Sequence, residues 1–377
     1  ANLTALHVKF HKEEEENAEL ATLGQQEFRK LEDGDAENLK LWELFRNKSL
    51  AEFSRMYDRL GVQFDVIKGE SSYQAQIAPT VQSMKSIVTA SEGAVVVMLD
   101  EYGLPPALVQ KSDGSSIYIV RDVASLQDRI SQYHPSRILY VVGNEQSLHF
   151  EQLFAIKDKL KLGATETVHV KFGLVLGEDG KKFSTRKGNT ILLEDLMNEL
   201  AVRTTSIVAA KNPSLSQEEV VRTAEAVAVA ALKYNDLRQH PHSDIVFDWE
   251  SMLDLGGNSG PYLQYTYARL SGIGRKIPSS ADADMGLLVH PTERMIMRHL
   301  LDMGHAVKEC VRLVALNGLA LYLYELATLA NRYYEEVRIG EDADMARQSA
   351  RLVLISAVAS TLKEGLSLLG IEAIERI

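Results

Sequence analysis

Hydrophobic and polar positions change their rhythm twice along the chain. Up to about residue 60 the spacing is helical and the segment strongly charged, with a second helix expected over Ala36–Leu60, where Leu39, Trp42, Phe45, Leu50 and Phe53 recur at helical intervals. The four acids Glu13 to Glu16 read as a solvated helix face. Short β-rich runs follow at Gln63–Ile67, Ala94–Leu99, Ser116–Val120 and Arg137–Val142, separated by glycine, proline or charged turns. A helix is expected over Leu148–Leu160, then a β-rich stretch at Val168–Leu176 and a turn at Glu178-Asp179-Gly180. Strands alternating with helices predict a layered α/β domain with at least partly parallel strands.

From residue 190 the pattern is almost wholly helical. Ser216 with Glu219 forms a capping-box signature after the Asn212-Pro213 break and opens an alanine-rich helix. The Ser/Ala/Asp stretch between Pro278 and Pro291 reads as a loop. Two later apolar stripes, Leu319/Leu323/Leu326/Ala330/Tyr333 and Ile355/Val358/Leu362/Leu366/Leu369, predict the core of a helical bundle, with Gly370 as the second helix's stop.

Composition changes this picture little. The 377 residues, 45% hydrophobic and 25% charged, exclude collagen-like, disulfide-scaffold and largely disordered chains. No apolar run reaches the roughly 18 residues of a membrane span, and the first 30 residues carry no signal-peptide pattern. The single cysteine, Cys310, excludes an internal disulfide and fits a cytoplasmic location. A net charge of −11 argues by itself against nucleic-acid binding, although a local basic patch can sit on an acidic protein. The sequence opens on Ala1 without methionine, so an essential part is expected upstream.

Common nucleotide signatures fail. No G-x-G-x-x-G follows a strand, and Val175 stands where a phosphate loop ending in Gly180-Lys181-Lys182 would need its first glycine. The G-x-S-x-G elbow is absent too. His7 and His11 are spaced like helical metal ligands but lack a third partner, so they read as surface residues and no metal site is expected. Gly177 to Asn189 is more informative: Lys181, Lys182, Arg186 and Lys187, with the Ser184 and Thr185 hydroxyls, form a loop able to surround a polyphosphate, or else a solvated basic hairpin. Tyr140–His149 runs from an apolar strand through Gly143 and polar residues into a helix, the place where open α/β sheets bind ligands. Glu70 and Asp122 are expected at comparable strand ends, where two converging acids would suit a cationic ligand; either alone is more often a turn or cap residue.

At these residues the chain resembles the arginyl-tRNA synthetases, class I aminoacyl-tRNA synthetases. KFSTRKGN at 182–189 resembles the family's version of the KMSKS loop; VVGNEQSLHF at 141–150, IKGESSY at 67–73 and IYIVRD at 117–122 match in order. FDWESMLDLGGNSGPYLQYTYARL at 247–270 resembles the junction with the anticodon-binding domain, and LYLYELATLANRYY at 321–334 that domain itself. The resemblance implies an α/β plus all-α chain: a partial Rossmann-like catalytic domain with connecting helices over 1–255, then an α-helical anticodon-binding bundle over 256–377. It implies ATP-dependent activation of L-arginine and transfer to tRNA(Arg), with Mg2+ carried as the ATP complex. Glu70, Tyr118, Asp122 and Gln146 resemble the amino-acid pocket. Gly143, His149, Phe172 and Gly173 resemble parts of the ATP site, and Lys181, Lys182, Ser184, Arg186 and Lys187 the catalytic loop. Carboxylates suit arginine's planar fork of donors.

Some positions depart from the family. Phe183 and Thr185 replace the usual methionine and second lysine of the loop, so Lys181 or Lys182 would carry that charge, and the ending AIERI is atypical. No HxGH signature occurs among the ten histidines, and the family's N-terminal tRNA-contacting domain is not found. The N-terminal portion of the same enzyme is therefore expected as a partner. The 377-residue chain alone should show little arginine-dependent ATP–pyrophosphate exchange even with tRNA, a result that robust exchange by the pure protein would contradict. The rival is a non-catalytic paralogue that binds tRNA or a protein.

Overall fold

The computed structural model describes residues 3–91, 93–110, 118–177, 192–276 and 283–377. Three helices come first: α1 (Leu3–Glu16), α2 (Ala18–Glu32) and α3 (Ala36–Leu60). Asn17 and Asp35 cap α2 and α3, each accepting from backbone amides of the first turn. Gly61 ends α3 in the left-handed region at φ 63°, where a side chain would be strained. The expected helix over 36–60 is present, but its apolar stripe is no core: α3 buries none of its residues, and Leu39, Phe45 and Phe53 are exposed. Only its end docks. Met56 and Leu60 pack on the cluster of Met197, Leu200 and Phe247, and Arg59 Nε lies 2.9 Å from Glu225 Oε1.

One compact unit comprises residues 64–174 and 241–244. It contains α4 (Ile77–Met84), β1 (Val88–Ser91), β2 (Ala94–Val97), β3 (Ala107–Gln110), α5 (Tyr118–Tyr133), β4 (Arg137–Gly143), α6 (Ser147–Lys159) and β5 (Glu166–Phe172). Strands β1, β2 and β3 form an antiparallel meander; β4 and β5 pair in parallel, with Arg137 opposite Glu166 and Gly143 opposite Phe172.

Two expected strands do not form. The Gln63–Ile67 run is irregular, and Tyr118–Val120 opens α5 instead of belonging to a strand over Ser116–Val120. The reason is visible further along. Ile119, Val120, Val123 and Leu126 continue one helical face that is buried, and packing overrides the β preference of a short branched run. That face meets Tyr140, Phe150, Leu153 and Ile156 from β4 and α6. On β4, Leu139 and Val141 point the other way and are exposed.

The second unit takes α1–α3 with residues 175–240 and 245–377. Its further elements are β6 (Val175–Leu176), α7 (Leu193–Lys211), α8 (Gln217–Leu237), β7 (Ile245–Val246), α9 (Trp249–Leu253), α10 (Gly260–Lys276), α11 (Pro291–Leu301), α12 (Met303–Leu313), α13 (Asn317–Glu336) and α14 (Met345–Leu368). The Ser216–Glu219 capping box starts α8 as expected. Both predicted stripes are buried in α13 and α14, forming one cluster with Tyr234, Leu263 and Ile296. Gly370 (φ 67°) stops α14, and Lys233 Nζ donates to its carbonyl at 2.6 Å. No described helix is long and apolar enough to cross a membrane.

Candidate active site

The carboxyl end of β4 runs into Gly143, one tight turn at Asn144–Gln146, and then α6. Ser147 Oγ donates to the Asn144 carbonyl at 2.7 Å, and Asn144 Nδ2 to the His242 carbonyl at 3.2 Å. These bonds hold the turn. His149 lies in the first turn of α6, and its Nε2 is 2.7 Å from Asp122 Oδ2 on α5. The structure thus joins two residues whose resemblances point to different substrates, Asp122 to arginine and His149 to ATP.

Glu70 and Asp122 do not lie at strand ends, because the strands expected before them are absent. Glu70 begins a short 3-10 helix and Asp122 lies in α5. They are nevertheless linked. Glu70 Oε2 is 3.9 Å from Arg121 Nη1, and Arg121 precedes Asp122 and leans over the ring of Tyr118 at 5.9 Å. Sequence reasoning missed Arg121, whose guanidinium already engages the acid expected to take a substrate guanidinium. Tyr118 is 69% exposed and Phe172 47%, and Gln146 also faces solvent, so among the described residues they border an open surface. Lys181, Lys182, Ser184, Arg186 and Lys187 lie in 178–191, outside the described residues.

Gly173 has a structural reason to be glycine. Its amide donates to the Pro241 carbonyl at 2.9 Å, Leu174 N donates to Asp244 Oδ1 at 2.7 Å, and a Cβ at 173 would overlap the Ser243 carbonyl. Backbone on backbone leaves little room to yield. Gly173→Ala should therefore cost about 1–3 kcal/mol, read as a lowered melting temperature, and an unchanged melt would contradict the close approach.

A second polar surface lies on the bundle. Arg269 is sandwiched between Tyr265 (4.7 Å) and Tyr334 (4.9 Å), and its Nη1 donates to Asn331 Oδ1 at 2.7 Å. Lys211 Nζ sits 5.8 Å from the Tyr265 ring. The hydrogen bond with Arg269, opposed by burial and helped by both cations, lowers the Tyr265 pKa. Interleaved aromatics and cations suit stacking on unpaired bases. Only the YTYAR run hinted at this, since Tyr334 and Lys211 are distant in sequence.

Family models decide the relationship. Residues 1–249 match "tRNA synthetases class I (R), catalytic domain" and residues 263–377 match the "DALR anticodon binding domain". The chain belongs to the arginyl-tRNA synthetases. It is 41% identical over 384 residues to the arginine–tRNA ligase of Clostridium perfringens, and 39% over 385 to that of Chloroflexus aurantiacus. All of this chain and 67% of each relative are covered, so it spans about two thirds of their length. Among solved structures, the arginyl-tRNA synthetase of Plasmodium falciparum superposes with a TM-score of 0.82 at 26% identity, over 96% of this chain and 62% of that one. The Thermus thermophilus arginyl-tRNA synthetase gives 0.84 at 23% identity, over 98% and 69%, a likeness of fold. The family's architecture is a class I catalytic domain followed by a helical anticodon domain, and its members are aminoacyl-tRNA ligases.

Proposed function

We propose that residues 64–174 and 241–244 carry the arginine- and ATP-binding part of the ligase reaction, and that the bundle carries the tRNA(Arg) contact. The observation behind the first reading is the Asp122–His149 pair beside the Gly143 turn, with Glu70 held nearby through Arg121. Glu70 and Asp122 take the guanidinium of L-arginine, with Tyr118 and Gln146 along the same open surface. Gly143, His149, Phe172 and Gly173 border ATP. In this reading the arginine carboxylate attacks the α-phosphorus, pyrophosphate leaves, and a tRNA ribose hydroxyl then takes the arginyl group. No protein nucleophile is required; positioning and charge do the work. Lys181, Lys182, Ser184, Arg186 and Lys187 would meet the phosphates, and Mg2+ arrives with ATP as substrate.

The tRNA reading rests on Arg269 between Tyr265 and Tyr334. We place the division between the catalytic part and the bundle at 255/256, and the cytoplasm remains the expected setting. Parallel sheets are normally covered on both faces. The bare face of β4 bearing Leu139 and Val141 is accordingly where we seat the N-terminal portion of the enzyme as a further layer.

A neutral isostere tests the arginine site. Calorimetry of the chain with L-arginine and with L-citrulline should show citrulline at least about 100-fold weaker, since carboxylates facing a neutral urea lose the charge-assisted bonds. Equal binding of both would refute guanidinium recognition by Glu70 and Asp122.

A further inference from the structure

On β5, His169 faces the same compact unit's site and has been given no role so far. Its Cα lies opposite Tyr140 of β4, and its Nε2–H donates to the Val142 carbonyl at 3.0 Å, the last carbonyl before Gly143. The ring lies 4.6 Å from that of Phe150, tilted by 35°. Phe150 in turn meets His149 edge-on at 5.5 Å and 87°, and His149 holds Asp122. The other ring nitrogen, Nδ1, is buried and has no hydrogen-bond partner among the described residues. Burial, the largest cause, lowers the pKa of this imidazole, and a carbonyl partner, which can only accept, calls for the proton on Nε2.

Filling this strand position needs no histidine. Its strand neighbours Val168 and Val170 are ordinary branched residues, and an apolar side chain would avoid a buried, unpaired nitrogen. What a histidine adds is two directed contacts at once. We propose that His169 is a positioning residue: one contact holds the Val142 carbonyl and hence the Gly143 turn, and the other holds Phe150 and hence the His149 ring. The proposal deepens the reading of that turn as part of the substrate site and rests on it for its functional meaning. The placement itself is open to a direct test.

Two variants of the 377-residue chain separate the contacts. His169→Phe keeps a ring against Phe150 and loses the donor; His169→Gln keeps a donor and loses the ring. Two readouts are taken on 15N-labelled protein, backbone amide exchange across residues 143–147 and the ring-nitrogen signals of His149. His169→Phe should speed exchange about tenfold and leave the His149 ring signals in place. His169→Gln should shift the His149 signals and change exchange by less than about threefold. Merely structural packing would give no such reciprocal pattern. If both variants disturb both readouts alike, leave both unchanged, or fail to fold, the positioning role is overturned. Calorimetry of the unsubstituted chain with ATP and L-arginine keeps the two ideas apart: no binding refutes the reading that residues 64–174 and 241–244 hold the substrates without the N-terminal portion, while the reciprocal pattern would still stand.

Discussion

Glu293→Gln is expected to lower the unfolding free energy by about 3–5 kcal/mol, the cost of breaking a buried charged network by removing one partner. Glu293 is fully buried on α11. One carboxylate oxygen accepts from Tyr333 Oη and Arg351 Nε, both at 2.8 Å, and the other from the His290 amide at 2.8 Å. Arg351 also reaches Asp342 at 2.7 Å, where Arg347 is bound through two nitrogens. Three helices, α11, α13 and α14, therefore meet at one carboxylate. Glutamine has the same shape, but its amide group must turn an N–H toward a donor, whichever way it is placed. The exposed pair Arg203–Glu199, both side chains 46% exposed, is the control, since Glu199→Gln should cost less than about 1 kcal/mol. Equilibrium urea unfolding compares them. A loss below about 1 kcal/mol for Glu293→Gln would sink the idea that this network organises the bundle.

The same network sets an acid limit. Hydrogen bonds from Arg347 hold the Asp342 carboxyl down at about 2. A carboxyl depressed in the folded state contributes stability above its ordinary range and loses it as pH falls through the folded value. Bundle stability should decline between about pH 4 and pH 2 for this reason, and Asp342→Asn should flatten that part of the profile.

Asp122→Asn is expected to weaken L-arginine binding about a hundredfold while changing ATP binding less than about threefold. The contact with His149 makes this variant discriminating. Asparagine Oδ1 can still accept from His149 Nε2–H, so the pair's geometry survives while the negative charge is removed. If Asp122 reads a guanidinium, arginine alone suffers. If it serves only to orient His149, both affinities barely change. Equal, large losses would mean that the amide disturbs the whole turn. Titrating both ligands into the chain and the variant decides between these outcomes.

Much of the fold was legible because its signals are local. Apolar spacing in α13 and α14, the Ser216–Glu219 cap, the αL stop at Gly370 and the strand leading into Gly143 each depend on residues within a few turns of one another. Tyr118–Val120 was misread for the same reason. Three β-favouring residues dominate a short window, whereas the buried face that makes them helical extends to Leu126. The exposed stripe of α3 shows the converse: amphipathic spacing predicts a helix but cannot say what, if anything, covers it.

At the candidate site, local sequence was enough to locate a glycine turn at a strand end, and the acids proposed for a cation and the basic loop proposed for phosphates were chosen from residue type alone. It also placed the chain among the arginyl-tRNA synthetases, since ordered motifs survive in one dimension. Which of them touch depends on how the helices pack. Asp122 meets His149 across 27 positions, Arg121 stands against Glu70, and Arg269 lies between tyrosines from two helices. Such pairs are made by the packing of α5 against α6 and against the 3-10 helix that Glu70 begins, and of α10 against α13. Periodicity reports which side of an element is buried; it carries no information about which distant side chain arrives to meet it.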